Sequence, residues 1–353
     1  MKRTLRWIAA AAFALAGMAV VTLALPIHVW RTGDRGLATM EFTRESAWIG
    51  GRLWIDTDAA CGHGPRTDPD DCLAITLLVR AAGERIAGIS LVAGNAPLAV
   101  VERTTRELAA RLTDGRGPAL PIHAGSAALV AALEEGPLTV VALGPLTNLA
   151  AALQSRPELQ PRVTRVVAVM GRRPGHIFHP AEGGNGGAFL GHGPIFRDFN
   201  FVLDAAAATR IVDSGVPLTL VPYDAARRIE ISVADLERLA AAGGSAAWLA
   251  ARSRDWLAYW RNDIGRQGFS PFDLLAAAYV IDPRQFGCAE VEAWVGEDRT
   301  LFAPFRRMEA LLVAPATAHT GTIRARGTAR YCADVPLSIK PWLVERLAGR
   351  EKA

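Results

Sequence analysis

Four aspartates lie close together in one short stretch of the chain. Residues 53–75 read LWIDTDAACGHGPRTDPDDCLAI, in which Asp56 and Asp58 follow a short apolar run and Asp70 and Asp71 open what reads as a helix. Carboxylates held near one another raise one another's pKa, so we expect such a cluster where a cation neutralises it. Hard divalent cations prefer carboxylate and carbonyl oxygens. The stretch therefore predicts a metal site.

A buried parallel sheet would position these carboxylates. Apolar runs that do not alternate with polar residues are separated by Ala- and Leu-rich segments, which indicates strands covered by helices on both faces. The predicted fold is α/β, with an open, mostly parallel sheet and a Rossmann-like core. The predicted strands are Leu53–Asp56, Ile86–Val92, Leu138–Ala142, Val163–Met170 and Leu218–Val221, and the predicted helices include Val100–Leu112, Leu146–Leu153 and Ala205–Asp213.

Polar segments follow the predicted strands in turn. Asp56 and Asp58 end the first strand, Asn95 follows the second, Leu143–Asn148 follows the third, and Gly171 follows the fourth. In an open parallel sheet, ligands bind at the carboxyl ends of the strands. We therefore expect these loops to converge on one edge of the sheet.

Four further segments follow the aspartates in chain order. They are VAGNAPL from Val92, ALGPLTNLA from Ala142, VVAVMG from Val166 followed by RDFNFVLDAAAATRIVDSGVPLTLV from Arg197, and FDLLAAAYVIDP from Phe272. Together, the five segments resemble the calcium-dependent, inosine–uridine-preferring nucleoside hydrolase family, in which the aspartates correspond to a DTDxGxDD signature. The similarity spans about residues 51–315, and the order of the segments makes it specific. It implies the fold of that family in a divergent member.

The resemblance implies hydrolysis of the N-glycosidic bond of a ribonucleoside or a related ribosyl compound. It implies Ca²⁺ as the cofactor, held by the carboxylates of Asp56, Asp71 and Asp273 and by the backbone carbonyl of Leu143. Asp58 would deprotonate a metal-bound water, because metal coordination makes water more acidic. That water would attack the anomeric carbon through an oxocarbenium-like transition state.

The resemblance also implies which residues contact the substrate. His192 stands roughly where the family has an asparagine, with Asn185 as the competing alignment. Phe272 stands where one branch of the family has a histidine that protonates the leaving base and where the purine-preferring branch has an aromatic residue. The residues implied to bind substrate are Asp70, Asn95, His192, Asp198, Asn200 and Phe272.

Two further patterns near the predicted site leave alternatives open. Trp256 and Trp260 have the i, i+4 spacing of one helix face, which is typical of core packing, although either ring could stack on a base. Eleven residues separate Asp58 from Asp70, which is more than in the family's signature, and Cys61 and Cys72 bracket the glycine-rich loop in this region. A disulfide between them would stiffen this loop; the alternative is that all four cysteines are buried thiols.

The N-terminus predicts export. Lys2, Arg3 and Arg6 precede residues 7–29, which contain no Asp, Glu, Lys or Arg. Such a segment is typical of a signal peptide or a membrane anchor. We predict a signal or anchor over residues 1–30, a linker over 31–47 and a catalytic domain over 48–350, exported and either periplasmic or membrane-anchored.

Charge and motif content exclude other classes of protein. The net charge of +4 and the absence of a basic run with interleaved aromatic residues argue against nucleic acid as a partner. The expected partner is a small nucleoside, and assembly into a homo-oligomer stays open. We expect Arg172, Arg173, Arg227 and Arg228 to be solvated.

Two rival functions remain. A strand that ends in DxD also opens phosphatase sites, but that class gives no account of ALGPLTN. A protein of the same fold could also bind nucleoside or metal without catalysis, since Phe272 replaces a proton donor.

Overall fold

The computed structural model describes residues 7–18, 37, 39–46, 49–113, 119–174, 198–299, 307–315 and 323–349. Most of the strands in this part of the chain join one sheet of ten strands. The strands of this sheet are β1 (Thr43–Arg44), β2 (Arg52–Thr57), β3 (Ile86–Leu91), β4 (Ile122–Ala124), β5 (Leu138–Ala142), β6 (Val163–Ala168), β7 (Leu218–Leu220), β10 (Gly287–Arg299), β11 (Arg307–Ala314) and β12 (Ile323–Asp334). Their order in the sheet is β1-β10-β12-β7-β6-β5-β2-β3-β4, with β11 beside β10. A separate pair consists of β8 (Ile231–Ser232) and β9 (Gly268–Phe269).

Helices cover the two faces of the sheet. The α-helices whose bounds the structure defines are Asp70–Ala82, Leu98–Thr113, Ala127–Glu135, Thr147–Ser155, Phe199–Leu203, Ala205–Ser214, Tyr223–Ala226, Val233–Ala242, Gly244–Tyr259, Phe272–Ile281 and Ile339–Leu347. Residues of Asp70–Ala82 and Phe272–Ile281 belong to one large apolar core, and residues of Thr147–Ser155 and Ala205–Ser214 belong to a second. Burial of these two cores is the main force that holds the layers together.

Strand β2 lies inside the parallel part of the sheet and pairs in parallel with β3 and β5. Its side chains from Leu53 to Thr57 are all buried, which explains the apolar run without alternation. The predicted parallel sheet is confirmed. Strands β10, β11 and β12 widen the sheet beyond β7; β10 pairs antiparallel with β11 and β12, and β12 pairs in parallel with β7. They were not predicted, because charged residues interrupt their sequences and they lack the continuous apolar runs of the parallel strands.

Both pairs of cysteines form disulfides. Cys61 bonds to Cys72, which closes the loop before the Asp70–Ala82 helix. Cys288 bonds to Cys332 and joins the neighbouring strands β10 and β12. The alternative of four separate thiols is therefore wrong.

The N-terminal segment is described only in part. Residues 7–18 form a helix, and Trp7, Phe13 and Leu15 on it are exposed. Within the described ranges, every helix is too short or too polar to cross a bilayer. The other residues of the predicted signal or anchor lie outside the described ranges.

The expectation of solvated arginines is wrong for three of the four. Arg173 is 3% exposed and donates two hydrogen bonds of 2.9 Å to Asp224, while Arg172 pairs with the buried Asp298. Arg227 lies 3.5 Å from the same Asp224, and only Arg228 keeps a side chain that is 44% exposed. Each buried guanidinium has a carboxylate partner, which is the condition under which a buried charge is tolerated.

Candidate active site

One edge of the sheet gathers five predicted site carboxylates. Asp56 lies on β2, Asp58 follows its end, Asp70 and Asp71 begin the Asp70–Ala82 helix, and Asp273 lies in the first turn of the Phe272–Ile281 helix. All five side chains are at most 6% exposed. The parallel sheet and two helix N-termini thus bring together aspartates from distant parts of the chain.

Asn95 joins Asp58 to Asp71. Its backbone N–H donates a 2.8 Å hydrogen bond to Oδ2 of Asp58, and its side-chain Nδ2 donates to Oδ2 of Asp71 at 3.1 Å. The hydroxyl of Thr57 donates to Oδ1 of the same Asp71. The predicted base and one predicted metal ligand are therefore held side by side.

Two glycines leave room for the carboxylate of Asp58. A Cβ on Gly94 would lie 1.9 Å from Oδ2 of Asp58, and a Cβ on Gly144 would lie 3.0 Å from its Oδ1. These glycines belong to the VAGN and ALGP segments. Backbone at Gly94 therefore approaches Asp58 more closely than any other residue type allows, and backbone at Gly144 packs tightly against it.

Two side chains from neighbouring elements hold the carboxylate of Asp56 in place. Its Oδ1 accepts hydrogen bonds from Ser90 Oγ at 2.5 Å and from Asn148 Nδ2 at 2.8 Å. Its Oδ2 is buried without a hydrogen-bond partner in the described part of the protein. Burial raises the pKa of Asp56 to about 7, although the two hydrogen bonds oppose the shift. The motif ALGPLTN contains Asn148, but nothing in the sequence shows that it supports Asp56.

Asp70 takes a position that the sequence did not predict. Its Oδ2 accepts a 2.6 Å hydrogen bond from the backbone N–H of Asp273, and its Oδ1 accepts one of 3.3 Å from Leu274. Burial nevertheless raises its pKa to about 8. Its carboxylate faces the start of the helix that carries Asp273, and the role of Asp70 in binding ribose stays a prediction.

The buried charges repel one another. Burial raises the pKa values of Asp58 and Asp273 well above the ordinary range, and the charge of Asp71 raises both further. Asp68, which the sequence analysis did not single out, adds a carboxylate beside Asp70 and has a pKa raised by burial and by that neighbour. A divalent cation would relieve this repulsion.

The oxygen atoms at this site are the ligand type that a hard cation prefers, although their positions do not form a complete coordination shell. No three Asp, Glu, His or Cys side chains of the described residues already stand in a metal-ligating arrangement. The fit rests on the crowded, buried carboxylates and on the unpartnered Oδ2 of Asp56. The carbonyl of Leu143 accepts one hydrogen bond, of 2.7 Å from Asn200 Nδ2, and a carbonyl oxygen has a second lone pair.

A cavity of about 480 Å³ opens beside this cluster. Such a volume lies within the range of small-molecule sites. Its polar lining includes the predicted residues Asn95, Leu143, Asp198, Asn200 and Asp273. The insertion between the aspartates also reaches it, because Arg66, Thr67 and Asp68 of the disulfide-closed loop line the same cavity.

Asp198 and Asn200 are both fixed by the backbone. Asp198 accepts 2.7 Å and 3.4 Å hydrogen bonds from the N–H groups of Gly171 and Phe201, and burial raises its pKa to about 6. Asn200 also donates to Val169 at 3.1 Å. His192 and its competitor Asn185 lie outside the described residues.

The aromatic lining comes from three elements. Phe272 stacks against Tyr223, with ring centroids 6.0 Å apart and planes inclined by 25°, and both line the cavity. Trp256 lines it as well, whereas Trp260 is fully buried in the core. Of the two tryptophans, Trp256 is thus placed where its ring could contact a base, and Trp260 packs in the core.

The chain is similar in sequence to known proteins. The family model described as inosine-uridine preferring nucleoside hydrolase matches residues 118–322. The pyrimidine-specific ribonucleoside hydrolase RihA of Escherichia coli O127:H6 is 31% identical over 191 residues, which cover 51% of this chain and 56% of that protein. The chain thus spans about half the length of the curated relatives it matches.

Solved structures show the same fold. A plant nucleoside hydrolase, PpNRh1, superposes with a TM-score of 0.64 at 18% identity, over 84% of this chain and 99% of that one. A purine-preferring ribonucleoside hydrolase from Gardnerella vaginalis gives 0.59 at 17% identity, over 85% and 98% of the two chains.

Proposed function

Because the chain belongs to the inosine-uridine preferring nucleoside hydrolase family, we propose that it hydrolyses the N-glycosidic bond of a ribonucleoside or a related ribosyl compound. The observation that carries this proposal is the pairing of Asp58 with Asp71 through Asn95, a residue of the cavity wall. A base for water and a carboxylate for a cation then stand together beside a cavity of nucleoside size.

We infer that Ca²⁺ is the cofactor. Asp56, Asp71, Asp273 and the carbonyl of Leu143 would hold it, and when bound it would make water more acidic and neutralise the buried carboxylates. The unpartnered Oδ2 of Asp56 supports this ligand set.

Asp58 would act as the general base. It would accept a proton from the attacking water while the water oxygen bonds to C1′ and the C1′–N bond breaks, with its electron pair leaving on the base. Asn95 donates hydrogen bonds to both carboxylate oxygens of Asp58. The backbone at Gly94 and Gly144 packs against the same carboxylate and restricts its motion. Such placement lowers the barrier because the reacting atoms need little reorientation.

Asn95, Asp198 and Asn200 would bind the ribose hydroxyls, with His192 proposed from the sequence alone. A polar site of this kind rejects analogues that lack a hydroxyl, because its own polar groups are then left unpaired. Phe272 and Tyr223 would offer an aromatic face to the base. That face favours a purine, although the curated relative from Escherichia coli carries the name of a pyrimidine-specific enzyme.

We further propose that the protein is exported or held at a membrane by its N-terminus. The two disulfides support an oxidising compartment, and the exposed apolar side chains of residues 7–18 support contact with lipid. Fractionation of cells that express the full chain tests this proposal, and recovery of the protein from the cytoplasm alone would reject it.

A substrate panel tests the proposed activity. Purified protein with calcium is incubated with purine and pyrimidine ribonucleosides and with a nucleoside 5′-monophosphate, and free base, ribose and phosphate are measured. We expect free base and ribose in equal amounts. Release of phosphate alone would indicate a phosphatase, and saturable binding without release of base would indicate a binding protein.

A further inference from the structure

Trp256, which lines the cavity, carries a buried hydrogen-bond donor, its indole N–H. Trp256 is 7% exposed and lines the cavity, and its Nε1 finds no hydrogen-bond partner in the part of the chain that the structure describes. The indole N–H can only donate. A buried donor without an acceptor is unfavourable, so this group is suited to an acceptor on a bound ligand.

Neighbouring rings hold the indole in place. The ring of Trp256 lies 5.3 Å from that of Tyr259 and 6.2 Å from that of the fully buried Trp260, edge to face. The guanidinium of Arg66 lies 4.9 Å from the centroid of the Tyr259 ring. The disulfide-closed loop, through Arg66, thus packs against the helix that carries Trp256.

Among the described residues of the cavity lining, the other aromatic side chains offer no strong acid to a departing base. Phe272 and Tyr223 stack on each other, and neither a phenyl ring nor a neutral phenol protonates a base readily near neutral pH. Arg66 is a cation in the lining, but its side chain is 63% exposed and pairs with Asp263. Among the described residues that line the cavity, Trp256 carries a side-chain donor that is buried and has no hydrogen-bond partner.

We propose that Trp256 donates a hydrogen bond to the leaving base and so stabilises the charge that develops on it. This inference rests on the proposed function. As the C1′–N bond breaks, its electron pair moves onto the base. The indole N–H of Trp256 donates a hydrogen bond to an acceptor atom of the base close to the nitrogen that was bonded to C1′. Its proton stays on the indole; water supplies the proton that the free base takes up, while Asp58 holds the proton of the attacking water.

The test compares two leaving groups. Trp256→Phe removes the donor and keeps an aromatic ring. We expect kcat/KM for ribonucleosides to fall about ten- to one-hundred-fold, the range for a hydrogen bond to a charged group. We expect less than about a three-fold fall for p-nitrophenyl riboside, because nitrophenolate leaves without help. Trp260→Phe is the matched control, and it should lower both rates by the same factor.

Equal losses for the two substrates in Trp256→Phe, or no loss, would overturn the proposal. If that variant does not fold, the wild type still decides. Indole ¹⁵N labelling gives one N–H resonance for each of the nine tryptophans. A non-hydrolysable nucleoside analogue should shift one of them downfield, and binding of the analogue without such a shift would overturn the proposal. Failure of wild type on both substrates would reject the proposed function instead.

Discussion

The carboxylate of Asp70 accepts a 2.6 Å hydrogen bond from the backbone N–H of Asp273, although 203 residues separate them in the chain. Its second oxygen accepts from Leu274. Asp70 therefore caps the helix that presents Asp273, and the spacing of two predicted metal ligands, Asp71 and Asp273, depends on this contact.

Replacement of Asp70 by alanine should weaken calcium binding. Loss of the cap leaves buried N–H groups without acceptors, which should lower the free energy of unfolding by about 1–3 kcal/mol and displace Asp273. Calorimetric titration with calcium measures the first effect and urea denaturation the second. The control is Asp204→Ala, which removes the side-chain cap at Ala207 and should lower stability without altering calcium affinity. Equal changes in calcium affinity in the two variants would contradict this role of Asp70.

A methyl group at Gly94 should disable Asp58. The added Cβ would lie 1.9 Å from Oδ2 of Asp58, so the carboxylate or the loop must move. A displacement of this size should lower kcat by about one-hundred-fold or more, as measured by release of free base. Gly83→Ala meets no atom within 4 Å and should keep the wild-type rate; a Gly94→Ala enzyme of normal kcat would show that Asp58 is not fixed in this way.

The two disulfides should differ in their effect on substrate affinity. In the loop-entropy model, loss of Cys61–Cys72 should lower the free energy of unfolding by about 3 kcal/mol and loss of Cys288–Cys332 by about 4 kcal/mol. Only the first closes the loop that brings Arg66, Thr67 and Asp68 to the cavity. The double variant Cys61→Ala/Cys72→Ala should therefore raise KM several-fold. A matching rise in Cys288→Ala/Cys332→Ala would show that the effect reflects general destabilisation.

Asp198 should contribute to the pH dependence of stability. Burial raises its pKa to about 6, above the value of about 3.9 for an unfolded chain. The carboxyl group of Asp198 therefore binds its proton more tightly in the folded protein than in the unfolded chain. The stability that this protonated group contributes is fully present below about pH 4 and is lost as the pH rises through about 6. The loss amounts to about 3 kcal/mol. Asp198→Asn should flatten the pH dependence of the free energy of unfolding over this window, as measured by urea denaturation at a series of pH values. An unaltered slope in Asp198→Asn would contradict the shift.

The sequence predicted the parallel sheet and the edge at which its loops converge, because buried parallel strands leave apolar runs that are easy to recognise. The same argument placed Asp58 and Asn95 near each other, whereas Asp273 joined them only through the resemblance to a family. The sequence did not reveal the capping role of Asp70, since two adjacent aspartates at a helix start look the same whichever way each points. Two further features arise from tertiary packing, for which no local sequence pattern exists. They are the hydrogen bond that Asn148 donates to Asp56 and the indole N–H of Trp256, which has no partner among the described residues.

The buried arginines show the same limit. Arg172 and Arg173 follow a glycine in a polar segment, which favoured exposure, but their partners Asp298 and Asp224 come from much later in the chain. A salt bridge between distant residues leaves no trace in the sequence near either one.

The role of Asp58 is tested most directly by one pair of measurements on calcium-loaded protein. Wild type and Asp58→Asn are compared for release of free base from a ribonucleoside, with nucleoside binding measured in parallel. We expect Asp58→Asn to bind nucleoside but to release base at least about one-hundred-fold more slowly, the contribution of a general base. Release at the wild-type rate by Asp58→Asn would contradict the account.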